Sequence, residues 1–203
     1  MSAMGDLLLN QEEGHPPKGL PRGERDCLGT VYFAFKPEPA VAEQGVSIGS
    51  RLCAKHGLIG RVSPAVLHVT ICPIAYLPKL SDEDIDAARK VAGSLVAEPF
   101  EMILDRIRTY PNGQERLPLV AFADNGVPRA GLFRHALIAD LRRGGFMIHR
   151  KLPKLHMTLL YDRRTVAEEP IDPIRWIVRD FALVHSIHGE GRHVLLGQWP
   201  LRS

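Results

Sequence analysis

Two histidines of this chain stand in the same short setting. Leu67-His68-Val69-Thr70-Ile71 returns 88 positions later as Leu155-His156-Met157-Thr158-Leu159, both copies reading Leu-His-apolar-Thr-apolar. With nine His and five Thr in 203 residues, two matched pairs with matched flanks are not expected by chance, so an internal repeat is the better explanation. Imidazole is the side chain that exchanges a proton near neutral pH. One neutral ring can take a proton while a protonated one gives it, and two hydroxyls can hold charged oxygens. Two histidines and two threonines are therefore what acid–base chemistry at a phosphate requires. A lone His-X-Thr would be better read as a satisfied core or surface histidine, and the matched pair reverses that judgement.

The chemistry needs both pairs presented on strands. Val66 to Tyr76 and Lys154 to Tyr161 are apolar and read as strands carrying the first and second motif. Alternate side chains of a strand share a face, so His68 projects with Thr70 and His156 with Thr158. Val69, Ile71, Met157, Leu159 and Tyr161 point the other way, into a core. If two similar lobes face one another, two imidazoles and two hydroxyls line one cleft.

The remaining elements support such a repeat. Gly29 to Phe35 reads as a strand, and Pro39 to about Lys55 as a helix weakened by Gly45 and Gly49. Ser81 caps a second helix with Asp82, Glu83 and Asp84 in its first turn and Ile85, Ala88, Val91 and Leu95 as its apolar stripe. Phe100 to Tyr110 and Leu117 to Ala123 are strands on either side of the turn signal Pro111-Asn112-Gly113. A third helix built on Leu132, Phe133, Ala136, Leu137 and Leu141 stops at Gly144, and Ile174 to Ile187 and His193 to Gln198 read as two closing strands. Each motif strand thus follows a helix. The expected fold is α+β, with two pseudo-symmetric lobes of mainly antiparallel sheet, outer helices and an active-site cleft between the lobes.

Composition sets the bounds. The chain is 45% hydrophobic and 24% charged, the balance of an ordinary globule, and its net charge is only +3. The charge is uneven: Arg142, Arg143, Arg150, Lys151, Lys154, Arg163 and Arg164 surround the second motif with Asp162 as the one acid, a setting that favours an anionic ligand. Arg150 and Lys154 are candidate contacts to flanking phosphates, and Phe146 a candidate stacking ring. Cys27, Cys53 and Cys72 lack metal-ligand spacing and read as reduced, mostly buried thiols of a cytoplasmic protein. No stretch approaches a membrane span, and a monomer is expected. Residues 1–26 read as a mobile tail and 27–203 as one bilobal domain.

With these residues in hand, the chain resembles the two-histidine (2H) phosphoesterase superfamily. Within it, the chain is similar to the 2'-5' RNA ligase-like, RNA 2',3'-cyclic phosphodiesterase branch of bacteria and archaea. The resemblance runs from about Asp26 to the C-terminus. It rests on both motifs, the opening strand Val31-Tyr32-Phe33-Ala34-Phe35, the run His156-Met157-Thr158-Leu159-Leu160-Tyr161-Asp162 and the ending Leu195-Leu196-Gly197-Gln198-Trp199-Pro200-Leu201. The second motif of such proteins is often preceded by Pro, whereas here Leu155 holds that place and Pro153 lies two residues earlier. The resemblance implies hydrolysis of an RNA or nucleotide 2',3'-cyclic phosphate to a 2'-phosphomonoester without metal or cofactor, with His68 as acid and His156 as base. Reversed with an RNA 5'-hydroxyl, the site would form a 2'-5' linkage.

Other readings remain open at this stage. A non-catalytic RNA- or phosphate-binding module would keep the basic segment and the threonines without needing both histidines. An ordinary interaction domain would leave the two imidazoles far apart. His185, His188 and His193 cluster near the C-terminus but have no matching acidic or Cys partner, so a metal site there is disfavoured.

Overall fold

The computed structural model describes residues 29–77, 80–111, 113, 115–187 and 190–202. The expected tail 1–26, Cys27, Asn112 of the turn signal and His188 lie outside the described residues. The order is β1 (Gly29–Phe35), α1 (Pro39–His56), β2 (Val69–Leu77), α2 (Asp82–Ser94), β3 (Phe100–Thr109), β4 (Leu117–Phe122), α3 (Pro128–Arg143), β5 (His156–Asp162), β6 (Glu169–Val178), β7 (Asp180–Ile187) and β8 (Arg192–Pro200). The strands form one sheet in the order β6-β3-β4-β5-β2-β1-β7-β8, with every pairing antiparallel. This is the expected α+β architecture.

The repeat is visible in the ladder. In one half, β2 pairs with β1, β1 with β7 and β7 with β8. In the other, β5 pairs with β4, β4 with β3 and β3 with β6. The halves join at β2 and β5 through the single pair Val69 opposite Met157, the middle residues of the two motifs. We call these half A and half B.

The core lies on the face bearing those middle residues. Val69, Ile71 and Met157 are fully buried there with Phe33, Phe35 and Phe181, each such aromatic contributing about 2–3 kcal/mol by leaving water. Tyr161, expected in this core, is half-buried outside it, because a bulge in β5 at Leu159 reverses the strand's alternation. Helix α1 crosses from its own half to lie on β5 and β6 of half B, while α3 contacts both β2 of half A and β3 of half B, so the two helices tie the halves together. This explains the glycines that weakened α1 in the sequence. A Cβ at Gly45 would stand 3.1 Å from Leu67 Cδ1, and Gly49 lies over the backbone of Leu159. Trp199, from the C-terminal run, stacks on Phe181 at 5.4 Å, and Leu201 is buried.

Two strand boundaries also differ from expectation. The strand expected over Val66 to Tyr76 begins at Val69, because Pro64–Val66 forms a 3-10 turn with Ser63 as its cap. The single strand expected from Ile174 to Ile187 is two strands. At Arg179 the carbonyl accepts from the Leu201 amide instead of a ladder partner, and the chain leaves the edge of half B for the interior of half A. Only Arg179 separates β6 from β7, so their ends meet although five strands lie between them in the order, and the sheet must curl. The Ser81 cap is as expected, as a reciprocal capping box with Asp84. Among the described residues no helix is long and apolar enough to cross a membrane.

Candidate active site

The Val69–Met157 pair brings the two motifs side by side. Antiparallel pairing about that point sets His68 towards Thr158 and Thr70 towards His156 on the face away from the core. Both histidines are fixed in the same way. His68 Nδ1 lies 2.7 Å from the Val66 carbonyl, and His156 Nδ1 lies 2.7 Å from the Lys154 carbonyl, in each case two residues back. A carbonyl can only accept, so Nδ1 carries the proton and donates in both rings. Each Nε2 is thereby left as the atom that gains or loses a proton. His68 Nε2 lies 3.1 Å from Thr70 Oγ1.

The local structures that hold these carbonyls differ. Val66 ends the 3-10 turn, so the turn that shortened β2 is what aims its carbonyl at His68. Lys154 belongs to the segment between α3 and β5. Arg134 pins that segment to α3 by donating to the Pro153 carbonyl at 2.7 Å, and Arg142 does the same to Ile148 at 3.1 Å. At the far end of β5 the buried Asp162 accepts from the amides of Ile59 (2.7 Å), Gly60 (3.2 Å) and Arg164 (3.0 Å). Burial alone would raise its pKa, but these backbone bonds hold it below the ordinary carboxylate value.

The surroundings of the two rings also differ. Tyr32 stacks on His68 with centroids 4.9 Å apart, and His193 meets the same ring edge-on at 5.1 Å. Tyr32 Oη and His193 Nε2 are 3.1 Å apart, which closes a clamp around a ring only 7% exposed. His156 is half-buried and meets Tyr110 edge-on at 5.1 Å. The Arg108 guanidinium lies 4.6 Å from the Tyr110 centroid and 5.1 Å from that of Phe122. Arg108 and Arg106 both reach Glu168, at 3.6 and 3.3 Å.

Sequence reasoning gave no site role to Tyr32, Tyr110 and Arg108, and weighed His193 only as a metal ligand. Tyr32 was legible in principle, since in β1 it alternates with the core residues Phe33 and Val31 and so faces the other way. Of the histidines weighed as a metal cluster, the two that are described point apart. His193 turns to His68, whereas the His185 ring lies against Gly29, where burial, then nearby Arg192, pushes its pKa down. Among the described residues no group of three His, Cys, Asp or Glu is placed to hold a metal ion. Arg150 and Lys154 are exposed beside the second motif, and Phe146 is half-buried against the core. Burial pushes the Cys72 thiol up to about 12, and the Cys53 thiol is also raised.

Neither a family model nor a curated protein sequence matches the chain. Solved structures do. The structure of E. coli LigT complexed with 3'-AMP superposes with a TM-score of 0.70 at 22% identity, covering 87% of this chain and 99% of LigT. A structure described as a phosphoesterase gives 0.68 at 20% identity, covering 86% and 99%. A protein of Thermus thermophilus gives 0.65 at 19% identity, covering 86% and 98%. This is the LigT fold. LigT has also been crystallised with phosphate, ATP and NADP+. The likeness to LigT extends over nearly its whole length, so both halves of the sheet and both motif strands lie within a shared architecture.

Proposed function

We propose that this protein is a phosphoesterase that opens RNA 2',3'-cyclic phosphates to 2'-phosphomonoesters, with His68 and His156 as its acid–base pair. The observation that carries the reading is the matched pair of 2.7 Å Nδ1–carbonyl bonds on strands that meet at Val69 and Met157, which gives two Nε2 atoms the same tautomer on one face. The LigT fold and the 3'-AMP named with LigT support a nucleotide-like ligand. His156, the more exposed ring, takes a proton from water as the water oxygen bonds to phosphorus. The bond to the ribose 3'-oxygen breaks, and His68 protonates that oxygen. Thr70 and Thr158 donate to the nonbridging oxygens as charge builds there. The same ring opening, with an RNA 5'-hydroxyl as nucleophile in place of water, would form a 2'-5' linkage.

The test is hydrolysis of a 2',3'-cyclic-phosphate-terminated oligonucleotide in EDTA by the wild type, His68→Ala and His156→Ala. The expected result is metal-free turnover to the 2'-phosphate that either substitution abolishes. Binding of the oligonucleotide by the wild type without turnover would instead support a non-catalytic phosphate-binding module.

A further inference from the structure

His68 and His156 make the same bond to a backbone carbonyl, yet a third histidine stands against His68. On β1, Thr30 and Tyr32 lie on the face away from the core. Thr30 pairs with Ser186 of β7 and Ser186 with His193 of β8, which puts His193 on that face two strands from β1. Strand β8 also contacts the 3-10 turn whose Val66 carbonyl accepts from His68. The three rings interlock. Tyr32 and His68 are stacked within 20° of parallel, and the His193 ring stands at 84° to Tyr32 and 75° to His68. Its Nε2 lies 3.1 Å from Tyr32 Oη.

A ring that protonates a departing oxygen must first hold a positive charge, and His68 is almost entirely out of water. The face of an aromatic ring is negative and attracts a cation, most strongly where water is excluded. Tyr32 presents that face to His68. Half B is arranged the other way. Tyr110 meets His156 edge-on, and the Arg108 guanidinium already lies over the Tyr110 ring.

We propose that His193 is a positioning residue for the acid step. Neutral, with Nε2 accepting from Tyr32 Oη, it fixes the Tyr32 ring over His68. The same bond polarises the phenol and makes its face more negative, so His68 holds the proton that it gives to the ribose oxygen. A protonated His193 would instead set a second positive ring beside His68. Among the described residues, the charged or titratable groups around His193 are Tyr32 on β1, His68 before β2 and the Arg192–Glu190 pair beside it. His185 of β7 turns to the other face, against Gly29. The proposal rests on the cyclic-phosphate reading of the site and adds a third histidine to it.

The experiment compares the wild type with two variants. His193→Phe keeps a ring beside His68 and removes its nitrogens, and His193→Gln returns a polar group within reach of Tyr32 Oη. On a 2',3'-cyclic-phosphate-terminated oligonucleotide, His193→Phe is expected to lower kcat by about tenfold with KM changed by less than about twofold. His193→Gln is expected to recover most of that loss. The alkaline limb of kcat against pH should lie at lower pH in His193→Phe, because His68 gives up its proton sooner once its support is gone. In a Tyr32→Phe background, where the bond is already absent, His193→Phe should add little. In the free protein, the His68 titration followed by nuclear magnetic resonance should move in the same direction as the limb. Equal losses in His193→Phe and His193→Gln would overturn the proposal, as would a change in KM alone or an unmoved limb and titration. If the wild type turns over no cyclic phosphate, the hydrolysis reading fails, and the His68 titration still decides the role of His193. A lower midpoint in His193→Phe then supports that role, and an equal one overturns it.

Discussion

The two halves of the sheet share a backbone plan and differ in what they present beside the motifs. Outward from Thr158, the same face of half B carries Val120 and then Arg108, and outward from His156 it carries Phe122 and then Arg106. Outward from Thr70, half A carries Ala34, Ala182 and Gln198. Half A thus surrounds a buried imidazole with small side chains and an aromatic clamp. Half B surrounds a more accessible imidazole with guanidinium groups tied to Glu168. The repeat supplies two equivalent rings, and the divergence around them gives each a different contact with water and charge. In our proposal that is the difference between the ring that meets water and the ring that meets the departing oxygen.

The comparison can be broken at its strongest point first. Replacing either histidine by alanine is expected to lower kcat by about 10²–10⁴-fold. The double variant should fall little further, because the two rings act in one step; multiplicative losses in the initial rates would show two independent sites. Next come the neighbouring rings. Tyr32→Ala removes both the stack and the bond to His193 and is expected to cost about 10²-fold in kcat through misplacement of His68. Tyr110→Ala, which takes one edge contact from His156, should cost clearly less. Equal losses in steady-state assays would mean that the halves are not functionally distinct.

A third effect concerns stability. Asp162→Asn leaves three amides facing a neutral acceptor and is expected to cost about 2 kcal/mol in urea unfolding at pH 7. The folded pKa of Asp162 is depressed, so its contribution is complete above the ordinary carboxylate value and disappears as pH falls through the folded one. The gap between wild type and variant should therefore narrow in acid; a gap independent of pH would contradict this account. The smallest effect is a matched deletion of hydroxyls. Tyr110 Oη is buried without a hydrogen-bond partner among the described residues, so Tyr110→Phe should change the unfolding midpoint by no more than about 0.5 kcal/mol equivalent. Tyr32→Phe, which removes the 3.1 Å contact to His193, should be felt both in stability and in kcat.

What could be read without coordinates was what depends on local period and local chemistry. Strand alternation put His68 with Thr70 and His156 with Thr158, and Ser81 marked the start of α2. Long-range geometry was not legible. The glycines of α1 looked like weaknesses because the strand they pass over, β5, lies more than a hundred residues away. The break at Arg179 has no local signal, since it depends on the Leu201 amide and on which edge each strand can join. His193 was grouped with its neighbours in sequence, whereas its ring belongs with His68 and Tyr32. At Gly60 the reason is again distant: a Cβ there would run into the Tyr161 carbonyl, so the loop before the first motif closes on the strand of the second.

The one-residue link at Arg179 also orders the molecule in time. All four strands of half B lie within residues 100–178, whereas half A needs residues 29–77 and then 180–200. A chain emerging from the ribosome therefore has every strand of half B before it has β7 or β8 of half A. His68 is made 88 residues ahead of His156, yet it is the later of the two to acquire its full surroundings, because the edge of its clamp, His193, is joined only after every strand of half B has been made.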